Sequence, residues 1–187
     1  MYYVDTNVLL SYVFESDPYH RRSKEILESL TSEGKKLCAS SLVLTEACDV
    51  LCRKISREKG WKLVALPSQD ISGYASPEDK CRFLSSLVIY FIKNRLNVQF
   101  LDSEEFYSFE QIFEDLSIPR LFKESIELSF KLPIRVKDLL HLAYALILSK
   151  NCGVRYFLTL DAENFNEEVR NVAQKLLGIT VMVIKEE

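Results

Sequence analysis

Glycine and proline are scarce, with five of each in a chain of 187 residues, and a turn-dense all-β architecture needs more of both. None of the five glycines sits in a Gly-rich phosphate loop or a nucleophile elbow, which argues against nucleotide-motor and serine-hydrolase chemistry. Long hydrophobic runs are missing too. The longest near-apolar stretch, 139–148, includes His141 and falls well short of the roughly 20 residues that span a bilayer, so no membrane association is expected. No basic residues precede the first apolar ones, and Asp5 interrupts them, so a secretory leader is not expected. Positive charge is not in excess, with 24 Lys and Arg against 27 Asp and Glu. A polyanion would have to be met by a local patch. Five cysteines without paired spacing read as free thiols in a reducing compartment, which points to the cytoplasm. Cys48 and Cys52 lie one helical turn apart, but His20 and His141 supply no matching zinc spacing.

What is present is a large apolar fraction, 48% of the residues, enough for the core of one compact domain over residues 1–187. Helical stretches interrupted by short apolar strands favour an α/β class. The first strand, Tyr2-Tyr3-Val4, runs straight into Asp5-Thr6-Asn7 and then an apolar, helix-compatible segment, 8–14. An acid at the carboxyl end of the first strand of an α/β sheet faces the crevice where such folds bind ligands. The same residue can equally N-cap the helix, and this segment alone leaves both readings open.

Helical spacing recurs over 20–31, 42–59, 78–94, 103–116 and 118–131, and short strands are expected at 37–39, 97–101, 156–160 and 179–184. The segment 60–77, rich in Pro, Ser and Gly, reads as a long surface loop. No internal repeat or low-complexity tract interrupts the chain.

Four acids stand out against this background. Glu46 borders the apolar stripe of Val43, Ala47, Val50 and Leu51, an unusual place for a carboxylate unless something pairs with it; Arg53 and Lys54 are the ordinary salt-bridge partners. Asp138 opens a helix that is apolar nearly all round, the mark of a buried helix. The strand Tyr156-Phe157-Leu158-Thr159-Leu160 ends in Asp161, repeating the pattern of Asp5. Parallel pairing of the two strands would bring Asp5, Glu46, Asp138 and Asp161 together. Carboxylates held close repel unless a cation neutralises them, so replacing any of them by its amide is expected to raise stability without metal. Hard oxygen ligands with no His or Cys partner suit one or two Mg2+ or Mn2+ ions. His141, one turn beyond Asp138, reads as a packed, hydrogen-bonded residue rather than a general base.

Val4-Asp5-Thr6-Asn7-Val8-Leu9, the Glu46 helix, Lys137-Asp138-Leu139-Leu140-His141-Leu142-Ala143-Tyr144-Ala145 and Leu158-Thr159-Leu160-Asp161-Ala162-Glu163-Asn164-Phe165 together resemble a PIN domain, in the order and spacing of members related to VapC toxins. The resemblance implies a three-layer α/β/α fold with a central, mainly parallel sheet. It also implies a metal-dependent endoribonuclease in which Asp5, Glu46, Asp138 and Asp161 hold the Mg2+ or Mn2+. Thr6 and Asn7 would shape the first turn, Thr159 would hold the site by hydrogen bonds, and Asn164 falls where relatives carry another acidic or amide residue. The middle region, about 60–116, is larger than a minimal PIN domain needs.

The partners expected are RNA, a second copy of the chain in a homodimer, and an antitoxin protein. The basic residues Lys131, Arg135 and Lys137 lead toward Asp138 and offer the RNA a path. Single-stranded or looped RNA fits a recessed centre better than a duplex. An RNA-processing PIN nuclease outside toxin–antitoxin systems is the alternative among enzymes. A PIN-like scaffold that binds RNA or protein without cutting is the alternative from another class. Use of Asp5 as a nucleophile in the haloacid dehalogenase manner is disfavoured, because Asp5-Thr6-Asn7 lacks the second nearby Asp.

Overall fold

The structure, a computed structural model, describes residues 1–57, 63–64 and 76–185. In chain order its elements are β1 (Tyr2–Val4), α1 (Thr6–Val13), α2 (His20–Ser32), β2 (Leu37–Ala39), α3 (Ser41–Arg57), α4 (Pro77–Leu96), β3 (Gln99–Phe100) and α5 (Glu104–Tyr107). There follow β4 (Phe109–Phe113), β5 (Leu116–Pro119), α6 (Arg120–Ser129), α7 (Val136–Cys152), β6 (Tyr156–Thr159), α8 (Glu167–Leu177) and β7 (Thr180–Val183).

Five strands form one sheet in the order β3-β2-β1-β6-β7, and every pairing in it is parallel. Helices cover the sheet in the three-layer α/β/α arrangement. The central strands explain themselves. Tyr3, Val4, Phe157 and Leu158 are all fully buried, as expected of parallel strands covered on both faces, whose sequences read as continuous apolar runs. The Tyr3 and Phe157 rings stack at 5.5 Å between neighbouring strands. Buried side chains of α7, among them Leu142, Ala143, Ala145 and Ile147, complete the core.

From β1 the chain winds outward through β2 to β3, then returns to place β6 on the other side of β1. The strand order therefore reverses between β1 and β6. In open α/β sheets the crevice at such a switch point, outside the carboxyl ends of the strands, is where ligands bind. Asp5 follows β1, and Thr159 to Asp161 end and follow β6.

Two expectations are corrected. The helix expected over 103–116 is only the single turn α5, followed by an antiparallel hairpin in which Phe109 faces Pro119 and Glu110 faces Ile118. The two strands satisfy each other's backbone groups, and this long-range pairing overrides a weak helical pattern. Arg120 then ties the hairpin down, pairing with Glu105, with Glu110 at 3.4 Å and with Glu124 at 3.8 Å. The second correction concerns the cysteines: Cys52 and Cys81, with Cα atoms 5.0 Å apart, form a disulfide that links α3 to α4, while Cys38, Cys48 and Cys152 are free. Partners 29 residues apart carry no spacing signal, and only the packing of α3 on α4 brings them together. The thiol count therefore no longer argues for a reducing compartment. Most of the loop expected over 60–77 lies outside the described residues. Among the described residues, no helix is long and apolar enough to cross a membrane.

Candidate active site

Asp5 leaves the sheet where α1 begins. Its backbone N–H still donates to the Leu158 carbonyl at 2.9 Å. Its carboxylate accepts from the Thr6 amide at 2.6 Å and from the Thr159 hydroxyl at 2.8 Å. Asp5 thus caps α1 and lines the crevice together, because one carboxylate has two oxygens.

Thr159 is the hub of this end of the sheet. Its hydroxyl donates to Asp5 and accepts from the Asn7 side-chain amide at 3.1 Å and from the Asp161 backbone N–H at 3.1 Å. Asn7 in turn accepts from the Leu160 backbone N–H at 3.1 Å. Thr159 is fully buried, while Asn7 and Asp161 are half-buried. Thr159→Val keeps the shape and removes the oxygen, leaving one acceptor and two donors short of a partner. A loss of about 1–3 kcal/mol in unfolding free energy is expected. Chemical denaturation measures it, and an unchanged midpoint would show that these groups find other partners.

Glu46 reaches the same place from α3. Its Oε2 accepts from the Thr6 hydroxyl at 2.5 Å and lies 2.9 Å from His141 Nε2. The salt-bridge partners the sequence offered are engaged elsewhere: Arg53 pairs with Asp49 at 2.6 Å, and the Lys54 ammonium sits 4.6 Å above the Phe14 ring. His141 is packed and hydrogen-bonded, with only 1% of its surface exposed. Its Nδ1 lies 2.9 Å from the Tyr3 hydroxyl, which is 2.7 Å from Ser40 Oγ. Its Nε2 also stands 3.5 Å from Asp5. Asp5, Glu46 and His141 each present one ligand atom, all within 4.8 Å of one another. His141 is the packed, hydrogen-bonded residue its sequence position suggests, and its acidic partners are Asp5 and Glu46. The signal was available, since His141 is three residues after Asp138 and shares its helix face.

Asp138 occupies the first turn of α7 and is 2% exposed. Its Oδ2 is buried without a hydrogen-bond partner. Burial and then the Asp5 charge push its carboxyl up to about 6; Asp161 adds to the rise, while Lys137 and His141 work against it. Asp161 accepts from the Asn164 backbone N–H at 2.9 Å and side-chain amide at 2.7 Å. Burial pushes Asp161 up, but these bonds and the Arg135 charge outweigh it and hold the carboxyl below its ordinary value. Glu46 behaves likewise. Burial raises it, and the bonds from His141 and Thr6 with the charges of His141 and Lys137 bring it below the usual range. For His141 burial disfavours the imidazolium, yet the bond to Glu46 and the charges of Asp5, Glu46 and Asp138 raise its pKa.

The donor set fits a divalent cation. A buried carboxylate oxygen with no partner, beside a trio of ligand atoms in close range, is an unfavourable arrangement that a cation would relieve. The carboxylates suit a hard ion such as Mg2+ or Mn2+, and His141, whose ring nitrogens face Glu46 and Tyr3, serves them as a hydrogen-bond partner.

A cavity of about 310 Å3 opens over this cluster. Asp5, Thr6, Asn7 and Leu10 line it from the β1–α1 side, Glu46, Asp49, Val50 and Arg53 from α3, and Lys137 from α7. Of the three basic residues proposed for RNA, Lys137 lines the cavity. Arg135 is exposed and paired with Glu163 at 3.6 Å, and Lys131 is exposed. Asp49 and Arg53 went unnoticed as site residues. Helical spacing could have found them, because positions 46, 49, 50 and 53 fall on one face of α3.

Comparison with known proteins agrees with the geometry. The family model described as PIN domain matches residues 2–167. Among solved structures, the chain is similar to one in the crystal structure of VapBC2 from Rickettsia felis bound to a DNA fragment from their promoter, with a TM-score of 0.51 and 14% identity over 98% of each chain. At that identity the likeness is one of fold. No curated protein matches the sequence.

Proposed function

The chain belongs to the PIN domain family, and from that premise we propose that it is a Mg2+- or Mn2+-dependent endoribonuclease that hydrolyses RNA phosphodiester bonds. The observation that carries this reading is the cluster of Asp5, Glu46 and His141 at the switch point of the sheet, with the buried, unpartnered oxygen of Asp138 on the neighbouring turn of α7. Asp5, Glu46, Asp138 and Asp161 are the proposed metal-holding carboxylates, and His141 stands 2.9 Å from Glu46 and 3.5 Å from Asp5. A divalent cation bound there supplies an activated water and neutralises charge developing on the phosphoryl and leaving oxygens. The protein's own groups do the positioning. Thr6 and Thr159 fix the Asp5 carboxylate, Thr6 and His141 fix Glu46, and Asn164 fixes Asp161. Asp5, Glu46 and Asp161 are thereby held before an ion arrives, which lowers the ordering needed on binding, while the free Oδ2 of Asp138 is left for the ion.

The similar solved chain is described as VapBC2 bound to a DNA fragment from their promoter, and this sequence resembles members related to VapC toxins. By analogy we assign this chain the toxin role, with an antitoxin as partner. Self-association belongs to the same proposal. Apolar side chains of α4 such as Leu84, Val88 and Ile92 fill the core, but Phe122 and Ile126 on α6 and Phe130 at its C-cap are 50%, 38% and 75% exposed at four-residue spacing. Light scattering is expected to show a dimer at micromolar concentration, which Phe122→Glu weakens; a monomer at every concentration would remove this part.

The nuclease reading itself is tested with purified protein and a labelled RNA pool. Cleavage should stop in excess chelator and return with Mg2+ or Mn2+, but poorly with Ca2+, whose loose coordination does not hold a tight geometry. Cleavage undiminished by chelator would overturn it, and metal-independent RNA binding with no cutting would favour the scaffold.

A further inference from the structure

We propose that Arg53 and Lys137 form a phosphate-binding rim over the candidate metal cavity, and that Asp49 occupies Arg53 in the place a polynucleotide phosphate takes. This inference rests on the nuclease reading in supposing that the cavity receives a nucleic-acid strand, and it adds which residues hold that strand. A strand entering here brings negative charge toward Asp5, Glu46, Asp49 and Asp138, so cations at the rim are needed to offset the repulsion. Among the described residues, Arg53 and Lys137 are the cations lining this cavity.

The Lys137 charge acts on both Glu46 and Asp138, which places its ammonium within electrostatic reach of the two acids. No ion pair holds it among the described residues. Arg53 lies two turns along α3 from Glu46, about 10 Å at 1.5 Å per residue. It therefore meets a phosphate beside the one at the carboxylates, and not the scissile group itself. Its partner Asp49 is on the same helix face, and the pair is open to solvent, with 55% and 61% of the side chains exposed. Exposed pairs of this kind contribute little to stability, so a guanidinium can pass from Asp49 to a phosphate, whose oxygens accept its paired N–H donors equally well. Leu10 and Val50 supply the apolar part of the lining, and the small cavity suits a single strand better than a duplex.

The test uses the full chain in Ca2+, where binding is read without extensive turnover. The probes are fluorescein-labelled single-stranded RNA and DNA of one mixed sequence, followed by anisotropy across a salt series. Arg53→Gln and Lys137→Gln are each expected to raise Kd about tenfold on both strands, the loss of one charge-assisted contact. Each should also lower the magnitude of the slope of log K against log salt by about 0.7. Asp49→Asn removes the competitor and is expected to tighten binding about threefold. A pair that was merely structural would move both of its variants in the same direction, so the opposite signs of Arg53→Gln and Asp49→Asn are decisive. Equal signs, an unchanged salt slope, or a loss confined to RNA would overturn the assignment. If wild type binds strands with the expected slope but never cuts with Mg2+ or Mn2+, the nuclease reading falls and the rim stands. If it cuts while the Arg53→Gln slope is unchanged, the rim falls and the nuclease reading stands.

Discussion

Asp5→Asn is expected to lower RNA cleavage by about a hundredfold to a thousandfold, a loss of roughly 2.7–4 kcal/mol of transition-state stabilisation, while the fold persists. The carboxylate is held by the Thr6 amide and the Thr159 hydroxyl, and the amide can keep one of these contacts through its remaining oxygen. Its new NH2 group, however, brings two donors and no charge to the cation position. The Thr159 hydroxyl already accepts from Asn7 and Asp161, so the amide oxygen has to face it to keep that bond; the Thr6 cap is then lost at about 1 kcal/mol, which leaves the fold in place with the ligand lost. Cleavage rates should be compared at saturating Mn2+ alongside circular dichroism. A variant that retains wild-type turnover would remove Asp5 from the proposed metal-holding set. Asp138→Asn should fall by a similar amount, because it also removes a charge from the cluster.

The second large effect is on stability, and its sign differs between two of the acids. Asp138 has its carboxyl pushed up to about 6 by burial and the Asp5 charge. Between its ordinary value of 3.8 and about 6 the folded protein holds the proton that the unfolded chain releases. Stability therefore falls as pH rises through that window, by up to about 3 kcal/mol at 1.36 kcal/mol per unit. At neutral pH the whole penalty is present, so Asp138→Asn is expected to stabilise the metal-free protein by about 1–3 kcal/mol, or ~2–4 °C in Tm for each kcal/mol. Glu46 goes the other way. His141 and Thr6 hold it below the usual carboxylate range, a contribution present above the unfolded value of 4.5 and lost as pH falls. Glu46→Gln is therefore expected to destabilise, opposite in sign to the simpler expectation that every acid of a crowded cluster is a burden. Wild type should gain roughly 2.7 kcal/mol when free Mn2+ is about 100 times its dissociation constant, and both variants should gain less. Melting curves in chelator and in Mn2+ at matched ionic strength decide this. A wild type blind to the metal, or a shift of the same sign in both variants, would contradict the arrangement.

Local pattern was enough to recover much of the framework from the chain alone. Tyr2-Tyr3-Val4 and Tyr156-Phe157-Leu158-Thr159 read as buried strands because parallel strands covered on both faces need unbroken apolar runs. The helix opening at Asp138 reads as buried because no polar face interrupts it. Asp5 and Asp161 are legible as site candidates because a strand's carboxyl end in an α/β sheet has a fixed relation to the crevice. The hairpin at 109–119 was not legible, since its strands are stabilised by each other and by Arg120, and neither is stable by itself. The disulfide between Cys52 and Cys81 was equally hidden, because a contact between two helices leaves no trace in spacing.

Residue types and their order determined by themselves that acids would stand at the ends of buried elements, since hydrophobic burial and the two backbone periodicities act locally. Which acid would be paired, which left without a partner and which repelled was decided only by the tertiary structure. His141 had to arrive between Asp5 and Glu46, Thr159 had to sit opposite the end of β1, and Asp138 had to be buried facing other carboxylates. Those outcomes depend on distances of a few ångströms between distant parts of the chain, and electrostatic energy in a low-dielectric crevice changes steeply over such distances.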